Sequence, residues 1–344
     1  MGADQEVKFL GLPDGRRISY REMGVSKETA TRSLLVLHGL ASSRLAGMPG
    51  VSEGLLREME VRLIAIDRPG YGLSDGNPAQ TWKTAAYDIA KIADILELGD
   101  KFYLLGYSCG GAFCWAAARY IPERIAGIAM WAPVGSYWWK GIADSQRTAM
   151  FNAITPRTRK FFEVVRRVPF WMVHLFVKIF ILREIRTEKW TQNVKKTASP
   201  ADRIHLSLSC ISDLMTRDTQ ESLKQSGFGL AQDLHLITSD WGFEPADVTC
   251  VYHGPFHIWH GDEDNLVPIT LQRMIKNLVP QLVVLHELPG EGHLSPFCFN
   301  EKGHRDTLTA LFWEAEASSE LLSDDSSTEE EGRSSPQKAA EEAD

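Results

Sequence analysis

At 344 residues the chain is long enough to bury a sizeable α/β core and needs no disulfide stapling. Hydrophobic residues make up 44% and charged residues 24%, a balance that excludes disorder as the main state. The net charge of −8 is concentrated in residues 320–344, where nine acids face only Arg333 and Lys338, so the nearly neutral body gives no reason to expect a nucleic-acid partner.

The first residues lack the charged start and apolar run of a secretory signal, and Glu6 stands where a myristoylation motif needs Ser or Thr. Five irregularly spaced cysteines make neither a disulfide framework nor a zinc site, which predicts a reducing, cytoplasmic setting. Residues 7–22 alternate apolar and polar positions around Pro13-Asp14-Gly15 and predict a β-hairpin. The pattern then changes. Leu34–Leu37, Leu63–Ile66, Phe102–Leu105 and Ile128–Trp131 are short apolar runs separated by helical spacing, as in Thr81 to Leu98, the signature of βαβ units and a parallel sheet.

From Ser136 to Val251 the periods are helical and rich in Trp, Phe, Arg and Lys, which predicts an inserted helical cap. Two further strands are expected at Phe256–Trp259 and Leu282–Leu285, then a helix near Asp306 to Ala315. The expected organisation is therefore a core of residues 1–135 and 252–316, a cap of 136–251, and a disordered acidic tail of 317–344. Phe170 to Leu182 is apolar but interrupted by His174 and Lys178, and it falls short of the roughly 20 residues that cross a bilayer.

Gly106-Tyr107-Ser108-Cys109-Gly110 follows a predicted strand and precedes the helical stretch Gly111 to Tyr120, the setting of a nucleophile elbow. A serine hydroxyl needs a base and a carboxylate to act as a nucleophile, and in this setting they follow in the order Ser, Asp or Glu, His. Asp262, Glu263 and Asp264 compete for the acid. Asp264 is favoured because it precedes Leu266-Val267-Pro268 at the opening of the next helix, while Asp262 suits a turn or cap. His293, between Gly292 and Leu294 after the last strand, is the expected base; His286 lies within a strand and His304 at a helix start. The oxyanion hole falls to the backbone N–H groups of Leu40, after His38-Gly39, and of Cys109.

His38-Gly39, Asp67-Arg68-Pro69-Gly70-Tyr71-Gly72-Leu73-Ser74-Asp75, the serine elbow, Gly261-x-x-Asp264 and Gly292-His293 together resemble the α/β-hydrolase superfamily, over everything but the tail. More narrowly, Lys101-Phe102-Tyr103, Tyr120-Ile121-Pro122, Tyr137-Trp138-Trp139 and Trp241-Gly242-Phe243 resemble a group of plant α/β-hydrolases with a helical cap. Cys109 departs from the Met usual in that group. Only its amide would act, so the departure leaves the chemistry intact.

The resemblance implies an α/β-hydrolase fold with a mostly parallel sheet, helices on both faces and an inserted cap. The expected activity is carboxylester hydrolysis of a small or lipid-like substrate through an acyl-enzyme, with acyltransfer, lyase chemistry or ligand sensing as alternatives on the same triad. No cofactor and no metal are expected. Ser108 argues against epoxide hydrolases and haloalkane dehalogenases, which use an aspartate nucleophile. Asp67 and Arg68 read as a loop brace rather than reacting groups, and His257 and His260, three apart on a strand, point to opposite faces. Between Arg157 and Lys196 eleven basic residues face three acids beside the apolar run Phe170–Leu182, which reads either as an ordinary amphipathic cap helix with its polar face in water or as a patch for anionic lipid or acyl substrates that gives peripheral membrane contact through the cap. In the acidic tail Ser326, Ser327 and Thr328 each have an acid three residues on, the pattern an acidophilic kinase accepts; the tail reads either as a phosphorylatable shield for that cap or as a solvated, solubilising appendage.

Overall fold

The computed structural model describes residues 6–185, 195, 196 and 198–312. The acidic tail, and the part of the basic run from Arg186 to Lys189, lie outside the described residues.

The hairpin predicted at the N-terminus is β1 (Lys8–Gly11) and β2 (Arg17–Gly24), paired antiparallel with Lys8 opposite Tyr20. Its turn closes through Leu12 N–H to the Arg16 carbonyl at 2.7 Å. The apolar runs become β3 (Arg32–Leu37), β4 (Val61–Ile66), β5 (Phe102–Tyr107), β6 (Ile125–Trp131) and β7 (Phe256–Gly261). The last strand, β8, spans Val284–Leu288. This is later than the expected Leu282–Leu285, because the amides of Leu282 and Val283 are still bound to the Val279 carbonyl in the turn that ends the preceding helix. Both side chains are buried, which explains why they read as strand.

The eight strands form one sheet in the order β1-β2-β4-β3-β5-β6-β7-β8, antiparallel at β1/β2 and β2/β4 and parallel elsewhere. Parallel strands need both faces covered, and the fully buried β4 and β7 show that they are. The helix Trp82–Ile95, opened by a Thr81 capping box, packs with the helix Cys109–Tyr120 on one face. On the other, the helix over residues 301–312 packs Leu308, Leu311 and Phe312 beneath β3, β5 and β6.

Between β6 and β7 the chain is helical. An aromatic cluster fixes this segment to the core: Trp241 lies 4.4 Å from Trp82 and 5.1 Å from Trp139, and Trp139 lies 5.6 Å from Trp115 on the helix Cys109–Tyr120, all between ring centroids. A polar tie runs beside it. Arg68, after β4, donates from Nη1 and Nη2 to the two carboxylate oxygens of Asp233 at 2.8 and 2.7 Å, and the Tyr71 hydroxyl donates to Asp233 Oδ2 at 2.6 Å. The backbones meet there as well, with Gly229 N–H bound to the Gly70 carbonyl at 3.0 Å. A Cβ on Gly70 would stand 2.8 Å from Gly229 N, and one on Gly229 would stand 2.4 Å from the Tyr71 ring. Among the described residues no helix is long and apolar enough to cross a membrane.

Both members of the Arg68–Asp233 pair are only 2% exposed. Asp233→Ala leaves the guanidinium buried without its counter-charge, so equilibrium denaturation should register a loss of about 3–5 kcal/mol. A loss below about 1 kcal/mol, typical of surface pairs, would show that the tie is dispensable.

Candidate active site

The elbow begins with sterics. Ser108 follows β5 at φ 52° and ψ −117°, a backbone region that non-glycine residues avoid, and is held there by its N–H to the Trp131 carbonyl at 2.8 Å and by Val134 N–H to its own carbonyl at 2.9 Å. The turn passes so close to β3 that a Cβ on Gly110 would stand 2.0 Å from the Leu37 carbonyl oxygen, and one on Gly106 would stand 2.6 Å from Cys114 Sγ. Only glycine fits at either position. The serine side chain is thereby presented at the carboxyl end of the parallel strands.

The structure brings Ser108, His293 and Asp264 together. His293 Nε2 lies 3.1 Å from Ser108 Oγ, and His293 Nδ1 lies 2.7 Å from Asp264 Oδ2. Asp264 Oδ1 accepts the N–H groups of Leu266 and Val267, both at 2.8 Å, so the loop after β7 aims the other oxygen at the imidazole. The competing Asp262 instead accepts Gly290 N–H at 2.7 Å and braces the loop before His293.

Burial alone would raise Asp264, but the charge of His293 and a hydrogen bond from His260 outweigh it and hold the carboxyl well below the usual range. Burial pulls His293 down, and the charge and hydrogen bond of Asp264 more than offset it, leaving the imidazole above its ordinary value. An ionised Asp264 beside Nδ1 fixes the proton there, so Nε2 is free to accept from Ser108.

The Leu40 amide is oriented by its neighbours. The Gly39 carbonyl accepts from Arg68 Nη2 at 3.1 Å and lies 2.9 Å from His38 Nδ1, and the trans peptide turns the following N–H the opposite way. Arg68 N–H donates to His38 Nε2 at 3.0 Å, which places the His38 proton on Nδ1. Burial and the Arg68 charge push His38 well below the ordinary histidine value, so it stays neutral. Cys109 opens the helix Cys109–Tyr120, where the first amides have no intrahelical acceptor and the helix dipole is positive. Its thiol is buried, lies 3.5 Å from Asp233 Oδ2, and is pushed well above the usual value by burial and by that carboxylate, so no thiolate competes with Ser108.

Four residues around the site hold positions that the sequence reading did not assign them. His260, fully buried, donates from Nε2 to the Val267 carbonyl at 2.7 Å and lies 3.1 Å from Asp264 Oδ2, which makes it a positioning residue for the acid. His257 takes a different environment, against His286 and Trp259. Asp202 accepts His293 N–H at 3.0 Å and Leu294 N–H at 2.7 Å. Asp218 accepts the Ser42 hydroxyl at 2.6 Å and the Ser43 hydroxyl and amide at 2.6 and 2.9 Å, with burial pushing it up to about 7. Asp233 holds Arg68. Asp67, also left out as a brace, accepts from Arg44 N, Arg44 Nη1 and Ser19 Oγ.

Residues 32–297 match the family model of the α/β-hydrolase fold. The chain belongs to the α/β-hydrolase family. A thermophilic esterase from Thermogutta terrifontis superposes on this α/β-hydrolase with a TM-score of 0.60 at 19% identity, covering 93% of this chain and 98% of that one. A bromoperoxidase from Bacillus anthracis gives a TM-score of 0.62 at 20% identity over 88% and 98% of the two chains. A Bacillus subtilis (strain 168) protein provisionally named 2-succinyl-6-hydroxy-2,4-cyclohexadiene-1-carboxylate synthase is 32% identical over 127 residues. That match spans 42% of the relative's length and 35% of this chain.

If Asp264 orients and raises His293, Asp264→Asn should lower kcat by roughly 10³–10⁴ and move the acidic limb of the pH profile to lower pH, since the largest influence raising the imidazole is then gone while burial still lowers it. Asp262→Asn should cost far less, and the reverse ranking in steady-state kinetics would transfer the role to Asp262. For Asp202→Asn, replacing one of two charge-assisted acceptors by an amide donor should lower kcat about 10–100-fold and shift the same limb down, with KM little changed. An unshifted limb with normal kcat would leave Asp202 without a positioning role.

Proposed function

We propose that the protein is a serine carboxylester hydrolase acting on a small or lipid-like ester, with the helical segment between β6 and β7 as its cap. The observation that carries this reading is the continuous relay from Ser108 Oγ through His293 to Asp264, at 3.1 and 2.7 Å, on a strained elbow that ends at a helix N-terminus. Ser108 Oγ attacks the acyl carbonyl while His293 Nε2 takes its proton and Asp264 stabilises the imidazolium. The oxyanion is received by the amides of Leu40 and Cys109. His293 then gives the proton to the leaving alcohol, and water, activated by the same imidazole, releases the acid and restores Ser108. None of these steps calls on a cofactor. The narrower likeness to plant α/β-hydrolases belongs to this proposal, and so does a reducing, cytoplasmic compartment, which fits the five free thiols.

A second reading, chemistry other than ester hydrolysis on the same residues, is favoured by the likeness over 127 residues to a Bacillus subtilis protein whose name is that of a synthase. There His293 would serve as a base without an acyl-enzyme. A fluorophosphonate probe and a panel of p-nitrophenyl and lipid esters separate the two. Ester hydrolysis should proceed with labelling at Ser108, and Ser108→Ala should abolish labelling and lower turnover by several orders of magnitude, leaving ~10³–10⁴ over water from binding and the oxyanion hole. An active protein whose Ser108→Ala variant keeps more than about a tenth of its turnover would refute the nucleophile assignment.

A further inference from the structure

The helix Phe170–Phe176 continues through a π-turn, Val177–Ile181, into a last helical turn, Leu182–Ile185. The π-turn sets the register. At about 100° per residue Leu182 would lie roughly 140° round from Val177, away from the core. Widening the turn to i→i+5 bonding brings Leu182 back beside Val173 and Val177, and all three are buried. The cost is displayed on the other side. Trp171, Met172, Leu175, Phe176, Ile179 and Phe180 are all exposed, Trp171 at 63% and Phe180 at 60%. That concentration of large apolar side chains on one outward face exceeds the scattered exposure normal for a soluble surface.

The border of this face is cationic. Phe161, on the neighbouring helix Pro156–Val165, packs against Phe176 at 5.8 Å between centroids, and Phe176 against Phe180 at 5.3 Å. Arg157, four residues before Phe161 and exposed, shares its helix side, and Lys160 on the same helix and Arg167 just beyond its end are exposed as well. On the apolar helix itself Lys178 and Arg183 are exposed. Two acids stand among these cations: Glu163, tied to Arg159 at 3.2 Å, and Glu184, exposed beside Arg183.

We propose that this face docks on an anionic lipid surface, the apolar side chains entering the headgroup boundary and the surrounding Lys and Arg meeting lipid phosphates and carboxylates. Charge decides the occupant. A second copy would bring an equally cationic border against the first, whereas an anionic bilayer complements it, and an outward Trp suits the membrane interface. The docked helix would lie close to the active site, since Phe170 packs on Phe228, the first residue of the helix that carries Asp233, at 5.3 Å. The proposal goes beyond ester hydrolysis and stands whatever reaction Ser108 performs.

Vesicle co-sedimentation of the full chain tests it without any substrate. Phosphatidylserine-containing vesicles should bind the protein at least about tenfold more tightly than pure phosphatidylcholine vesicles at low salt. The double variant Trp171→Glu/Phe180→Glu, altered only at exposed positions, should keep its melting temperature and lose binding by ~10²-fold. Lys160→Glu/Arg167→Glu should weaken binding at low salt, with the difference from the unaltered chain fading as salt approaches about 1 M and the Debye length falls to ~3 Å. Absence of co-sedimentation, equal partitioning to both vesicle types, or undiminished binding by the Trp171/Phe180 variant would each overturn the assignment. So would a dimer in sedimentation velocity that the same variant converts to monomer, because a second copy would then own the face.

Discussion

The buried pairing of Arg68 with Asp233 is the interaction on which the site's geometry turns. Its guanidinium directs its other donors to the His38 and Gly39 carbonyls, at 3.0 and 3.1 Å, so one side chain orients the loop that carries Leu40 and fastens it to the helix Phe228–Thr238. Two charges removed from water are costly unless fully bonded, and here the carboxylate is bidentate and further satisfied by Tyr71. Arg68 also lies over the Phe113 ring at 4.4 Å, which packs its flat face against the helix that follows the nucleophile.

The same construction recurs twice in the helices between β6 and β7. Asp202 grips the His293 loop and Asp218 grips Ser42-Ser43 beyond Leu40, so the His293 loop, the Leu40 loop and the Arg68 loop are each held by a carboxylate from a different helix. Backbone amides and buried hydroxyls are good partners for such acids, because they satisfy a carboxylate without adding a long flexible side chain. Helices that cover the sheet's carboxyl end therefore also set its loops, and the two parts of the chain cannot be altered independently.

Much of this was legible in the sequence, for physical reasons that differ by element. Buried parallel strands announce themselves as apolar runs, yet at Leu282-Val283 burial preceded pairing and shifted the strand forward. The elbow was readable because its glycines answer to local sterics, and Asp264 and His293 because each follows a strand end. Asp202 was not. It stands three residues after Ser199, whose hydroxyl accepts its amide, so locally it looks like an ordinary acid in the first turn of a helix. Its contact with His293 spans 91 residues and leaves no periodic trace. His260 was hidden in the same way, as one more buried strand residue, although its position four before Asp264 was the available clue.

The crossing of Gly70 and Gly229 carries a consequence for how such a chain can change over time. A methyl group on either one meets the other's backbone or the Tyr71 ring, and Tyr71 shares Asp233 with Arg68, so the disturbance travels straight to the loop that carries Leu40. A tolerated replacement at one position would need a compensating retreat by the other strand of the contact, which a glycine already at minimum size cannot make. The two positions therefore form a mutational dead end, and the point of crossing stays fixed.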